Sequence, residues 1–215
     1  MSVHDPHSQS VFFSWQLDLP REFHKDPIWA GIQNACGAGT LAEAALRPDS
    51  DTLGETGSPK IMETIYSKID RTSVFVADVS FVAETGNRKK TPNPNVLLEV
   101  GYAARSIGWD RIILVMNKAS GRPEDLPFDL RQHRFPVGFK LSDKTENKEQ
   151  TISTLSGNLT EYVGQALSAT IRRVEEQSKR LDSTTLSLMA RYKDFQAFPM
   201  LLPPQNRGQV LVSSN

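Results

Sequence analysis

The sequence predicts an α/β fold: a parallel five-stranded sheet with helices on both faces. Three observations predict it. Val11–Trp15, Ser73–Asp78 and Arg111–Met116 are short, bulky apolar runs without polar alternation, as in strands buried on both faces. Helical patterns fall between these runs. Asn93–Ala104 reads as a capped helix, because Asn93 suits the N-cap and Pro94 the first helical position, where its missing N–H costs nothing.

Taken in order, residues 1–10 read as a flexible leader and Val11–Trp15 as a central strand. Gln16–Asp26 is a polar loop, and Pro27 opens a helix over Ile28–Ala35 that Gly37 and Gly39 close. Thr40–Leu46 is ambiguous: its alanines favour helix, but its place in the alternation favours a second strand, which is the expectation here. Arg47–Thr56 is a polar loop. Gly57-Ser58-Pro59 starts a helix whose Ile61, Ile65 and Ile69, with Met62, form one apolar stripe. Ser73–Asp78 is the third strand. Val79–Thr91 is a long loop carrying Arg88, Lys89 and Lys90, and the Asn93 helix follows with an apolar surface all round, which predicts burial all round. Arg111–Met116 is the fourth strand, Leu126–Gln132 a turn or short helix, and Phe135–Phe139 the fifth strand. These elements make a domain over 11–140. A helical extension over 141–194 carries the stripe Ile152, Leu155, Leu159, Val163 and Leu167, and 195–215 is a tail or docking arm, apolar from Phe195 to Leu202.

Composition narrows the function classes. Lys plus Arg and Asp plus Glu both number 25, so no global field argues for direct nucleic-acid binding. The single cysteine, Cys36, excludes an internal disulfide and fits a reducing compartment. No run approaches the ~20 apolar residues of a membrane span, and Met1–Ser10 has no signal-peptide core, so the expectation is a cytoplasmic protein without a membrane partner. His4, His7, His24 and His133 lack metal-ligand spacing, and no metal site is expected. There is no Gly-x-Gly-x-x-Gly, phosphate-binding Walker loop or nucleophile elbow.

The candidate site follows from topology. In the flavodoxin-like strand order 2-1-3-4-5, ligands bind beyond the strand carboxyl ends, at the switch point between the first and third strands. Ser14, Trp15 and Gln16 end the first strand, Asp78 and Ser80 end the third, and Asn95, Glu99 and Tyr102 lie on the next helix. Glu99 is the only ionisable carboxylate in an apolar run, so it must be paired, protonated or facing a cavity. A structural ion pair is the plain reading and a catalytic carboxylate the functional one. Trp15 is a core aromatic or a stacking platform for a base, and Asp78 caps loop N–H groups or lines the pocket. Arg88, Lys89 and Lys90 are a solvated loop or a phosphate contact, the former favoured.

Val11–Gln16, Gly57-Ser58-Pro59, Val76–Ser80 and the block Pro92–Ala103 occur in the order seen in bacterial TIR-like (Toll/interleukin-receptor-like) nucleotide-binding proteins, which this chain resembles over residues 10–140. The block Asn-Pro-Asn-Val…Glu-x-Gly-Tyr-Ala is the most specific part. The resemblance implies a flavodoxin-like layout, NAD as substrate rather than cofactor, and Glu99 as the catalytic carboxylate of nicotinamide–ribose cleavage. It also implies an antiviral or stress effector that makes ADP-ribose or a cyclised signal, works as a homo-oligomer, and answers to an activating protein or nucleotide signal. The same block looks like nucleoside deoxyribosyltransferases, which place a nucleophilic glutamate before a similar Gly-Tyr-Ala. A non-catalytic nucleotide-sensing or self-association module is the other open reading. Residues 141–215 match no family pattern.

Overall fold

The computed structural model describes residues 10–37, 47–49 and 61–196. Five strands form one sheet in the order β2-β1-β3-β6-β7, where β1 is Ser10–Ser14, β2 Arg47–Asp49, β3 Val74–Asp78, β6 Ile112–Asn117 and β7 Val137–Phe139. Every neighbouring pair in it is parallel. The order is flavodoxin-like once the separate two-stranded hairpin, β4 (Phe81–Glu84) with β5 (Lys90–Pro92), is set aside.

Strand side chains alternate between two cores. On one face Val11, Phe13, Val74, Val76, Ile113 and Val115 meet α1 (Lys25–Gly37) and the first half of α5 (Lys148–Gln196). On the other, Phe12, Phe75, Ala77, Leu114 and Met116 meet α2 (Ile61–Arg71) and α3 (Pro94–Ser106). Burial on both faces explains why these strands read as unbroken apolar runs. At Gly31 of α1 a Cβ would stand 2.7 Å from Leu159 Cδ1 of α5, so glycine permits this helix contact, which Asn34 Nδ2 donating to Ser156 Oγ at 3.0 Å reinforces.

Several expectations change. The second strand runs Arg47–Asp49, inside the stretch read as loop, while Thr40–Leu46 lies outside the described residues. Its last residue, Asp49, accepts from the buried Lys68 Nζ of α2 at 2.9 Å. The helix start at Gly57-Ser58-Pro59 also lies outside them, as do residues 1–9 of the leader and 197–215 of the tail. The loop Val79–Thr91 folds as the β4–β5 hairpin, because Phe81 anchors one strand in the core and Arg88 turns the chain with φ of 57°. Helix α3 is not buried all round: Leu98 is 57% exposed, since α3 lies on an outer face of the sheet and Val96, Glu99, Val100 and Ala103 alone are buried. The turn or short helix expected over Leu126–Gln132 is present as α4 (Phe128–Arg131), preceded by a 3₁₀ turn at Pro123–Asp125.

The chain divides into two units, Met1–Arg172 and Arg173–Asn215. Leu155, Leu159, Val163 and Leu167 of α5, from the helical extension that the sequence places after residue 140, are all within 2% of complete burial in the sheet's own core. That apolar stripe is thus spent on the sheet's own core. The apolar segment Phe195–Leu202 falls almost wholly outside the described residues. In the second unit the helix continues to Gln196, with Leu181 and Leu186 exposed. No helix among the described residues is long and apolar enough to cross a membrane.

Candidate functional site

Beyond Ser14, the last residue of β1, the chain turns across the start of α3. The Asn93 side chain caps α3, its Oδ1 accepting from the N–H of Asn95 at 2.8 Å and of Val96 at 3.3 Å. Its other end, Nδ2, donates to Asp18 Oδ2 at 2.5 Å and ties the loop after β1 to the helix. Gln16 Oε1 accepts from the Leu19 N–H at 3.0 Å, which folds that loop on itself.

This frame encloses a cavity of about 380 Å³. Ser14, Trp15, Gln16, Asp18, Asn93, Asn95 and Glu99 line it. Its apolar wall comes from Ile61, Met62 and Ile65 of α2 and from Phe12 and Phe13. Glu99 is only 8% exposed and lies one turn into α3, whose amino end adds a positive dipole. The Lys25 ammonium stands 3.2 Å from the centroid of the Trp15 ring, a cation–π contact that orients the indole. Ser14 Oγ and Gln16 Nε2 are buried and have no hydrogen-bond partner among the described residues. Buried polar groups are ordinarily satisfied, so these two at one cavity wall are open to a water or a bound molecule.

Asp78 and Ser80 do not line this cavity, and that expectation is corrected. Asp78, 1% exposed, accepts at Oδ1 from the Ser80 N–H at 3.0 Å and from Ser80 Oγ at 2.5 Å. Ser80 Oγ in turn accepts from the Asn117 N–H at 2.9 Å. The Asn117 side chain holds the loops around the ends of β6 and β7. Its Nδ2 donates to the carbonyls of Phe23 at 3.0 Å and Leu141 at 2.7 Å, and its Oδ1 accepts from the N–H of Ala119 at 3.0 Å and Leu141 at 3.1 Å. Asp78 is therefore a loop cap. His24 Nδ1 lies 3.7 Å from Asp78 Oδ2, within ion-pair range but too long for a hydrogen bond.

Tyr102 is likewise corrected. It turns toward α2, stacks on Tyr66 with ring centroids 4.0 Å apart, and donates to Asp70, which also accepts from Ser106 Oγ. The hydrogen bond to Asp70 holds the Tyr102 phenol above its ordinary range. Cys36 offers no nucleophile at neutral pH, because burial pushes its thiol up to about 11. Among the described residues no group of three or more His, Cys, Asp and Glu side chains converges as a metal site. Sequence reasoning missed Asn93 as a bridge and Lys25 as the partner of Trp15. The N-cap position signalled the first, since a capping asparagine leaves its amide nitrogen free; nothing local signalled the second.

No protein-family model and no curated protein matches the chain. Among solved structures it is similar to a 2-desoxiribosyltransferase from Leishmania mexicana, at 19% identity over 69% of this chain and 97% of that one, with a TM-score of 0.35. It is also similar to a diflavin flavoprotein from Nostoc sp., at 15% identity over 79% and 97% of the two chains with a TM-score of 0.41. A flavodiiron core from Synechocystis sp. matches at 12% identity over 76% of this chain and 37% of that one, with a TM-score of 0.42. At such scores the flavodoxin-like assignment stands on the strand order, the parallel pairing and the helix placement above.

Proposed function

We propose that the Glu99 cavity cleaves the N-glycosidic bond of a nucleoside-containing small molecule, with NAD as the substrate and nicotinamide as the leaving group. The observation that carries this reading is a buried carboxylate in the same cavity as an indole and two buried polar atoms that have no partner among the described residues. The TIR-like motif block supports NAD as the specific substrate. Cleaving the nicotinamide–ribose bond develops positive oxocarbenium character on the ribose, and a carboxylate beside that carbon stabilises it. Nicotinamide leaves as a neutral base, so no general acid is needed. Trp15 supplies a ring on which nicotinamide stacks, and the Gln16 amide and Ser14 hydroxyl supply donors for the carboxamide or ribose oxygens. Water then captures the ribose carbon to give ADP-ribose, or a second nucleophile on the substrate closes a ring.

A second reading, a nucleotide-binding module without chemistry, is favoured by one observation: Glu99 already has an interaction within the protein. Incubation of the purified protein with NAD, and separately with 2′-deoxynucleosides and a free base, separates the readings. Nicotinamide release that is lost in folded Glu99→Gln supports the first, base exchange supports deoxyribosyl transfer, and saturable NAD binding without products supports the module. Self-association, which the resemblance implies, is tested by light scattering paired with activity over a concentration series.

A further inference from the structure

A second cavity, of about 320 Å³, lies at the opposite end of the sheet, where β6 and β7 begin. It belongs wholly to the Met1–Arg172 unit and shares no lining residue with the Glu99 cavity. Its floor is apolar, made of Ile113, Leu114 and Val137 with Ala166 and Ala169 of α5. One wall is the stacked pair Trp109 and His133, with ring centroids 3.6 Å apart and planes at 18°. Phe135 at the rim is 60% exposed, an aromatic face with no covering among the described residues.

The lining carries two arginines, Arg134 and Arg172, against one acid, Asp110. Arg134 donates from Nη1 to Gln165 Oε1 at 3.0 Å, and its guanidinium carbon lies 4.9 Å from the Tyr162 ring centroid. These two contacts hold the side chain in place without neutralising it. Arg172 also lines the cavity, and neither arginine forms an ion pair with a carboxylate among the described residues. Asp110, the acid of the lining, is not a free charge. Two guanidiniums without an ion-pair partner among the described residues, over an apolar, aromatic-walled hollow with one acid, are complementary to a flat apolar body carrying one anionic group, since arginine recognises carboxylate and phosphate in forked hydrogen bonds and stacks on rings.

We propose that this cavity is a second ligand site, for a small aromatic anion of mononucleotide size or less, separate from the Glu99 cavity. It stands independently of what Glu99 does. The test is titration of the ¹⁵N-labelled full chain with 1-naphthyl phosphate, 1-naphthoate and neutral 1-naphthol, read on the indole N–H resonances. Trp109 should shift with either anion while Trp15, in the other cavity, stays. Arg134→Gln and Arg172→Gln should each weaken anion binding about tenfold, the size of a lost hydrogen bond to a charged group, and leave naphthol binding unchanged. Preference for the phosphate over the carboxylate, or the reverse, names the head group. Naphthol binding as tight as the anions, anion binding unchanged in both variants, shifts confined to Trp15, or no shift of Trp109 with any of the three would overturn the site. Should Arg134→Gln fail to fold, Arg172→Gln, at an exposed position, decides alone.

Discussion

Two polar groups close the carboxyl ends of neighbouring strands, and they are built to opposite rules. At the end of β3 and β6, Asp78 Oδ1, Ser80 Oγ and the Asn117 side chain are each engaged, by one another or by the surrounding backbone, and the buried His24 Nδ1 beside Asp78 is the open group there. At the end of β1, Ser14 Oγ and Gln16 Nε2 are buried yet have no hydrogen-bond partner among the described residues, and they sit with Glu99 at a cavity. Both groups are acids and hydroxyls at the switch point of a parallel sheet, so position alone does not distinguish them. Satisfaction does. A saturated network gives its hydrogen bonds to the fold, whereas a buried group left open lowers stability unless a ligand completes it.

That contrast can be broken most sharply at Glu99. Glu99→Gln keeps the size and removes the charge, and N-glycosidic cleavage should fall by roughly a hundredfold or more, the scale of losing one electrostatic stabiliser of the transition state. Unchanged turnover in the folded variant would place Glu99 with the structural group. The converse test is Asn117→Ala, which strands two carbonyls and two N–H groups. It should cost about 3 kcal/mol of stability, seen as a lower urea midpoint, while the folded fraction keeps its ligand affinity. A stable Asn117→Ala protein with impaired binding would reverse the roles of the two groups.

Smaller effects sharpen the picture of the cavity. Trp15→Ala should weaken binding of NAD about tenfold by calorimetry, because stacking on a base contributes ~1–3 kcal/mol. Equal affinity would mean that Trp15 serves the core and its Lys25 contact alone. Ser14→Ala should have the smallest consequence and the most telling sign. Removing a buried hydroxyl that has no partner among the described residues should leave thermal stability unchanged or raise it by up to about 1 kcal/mol, while ligand affinity falls a few-fold. A stability loss instead would show that Ser14 Oγ is satisfied in the folded protein.

Much of the fold was legible because its signals are local. Double-sided burial writes itself into Val74–Ala77 and Ile113–Met116 as unbroken apolar runs, and the cap of α3 is declared by Asn93-Pro94 within two residues. Glu99 stood out for the same reason, as an acid within an apolar helix. The short β2 was not legible, since Arg47–Asp49 has no strand composition and is a strand only through its pairing with Ser10–Phe12. Which strand-end residues face the cavity was decided by tertiary structure. The Asp18–Asn93 hydrogen bond joins residues 75 apart, Asn117 reaches Phe23 across 94, and Tyr102 is drawn to Asp70 on another helix. Periodicity tells which residues must leave water; which partner each buried polar atom finds there depends on distances between elements far apart in the chain, and these exist only once the sheet has formed.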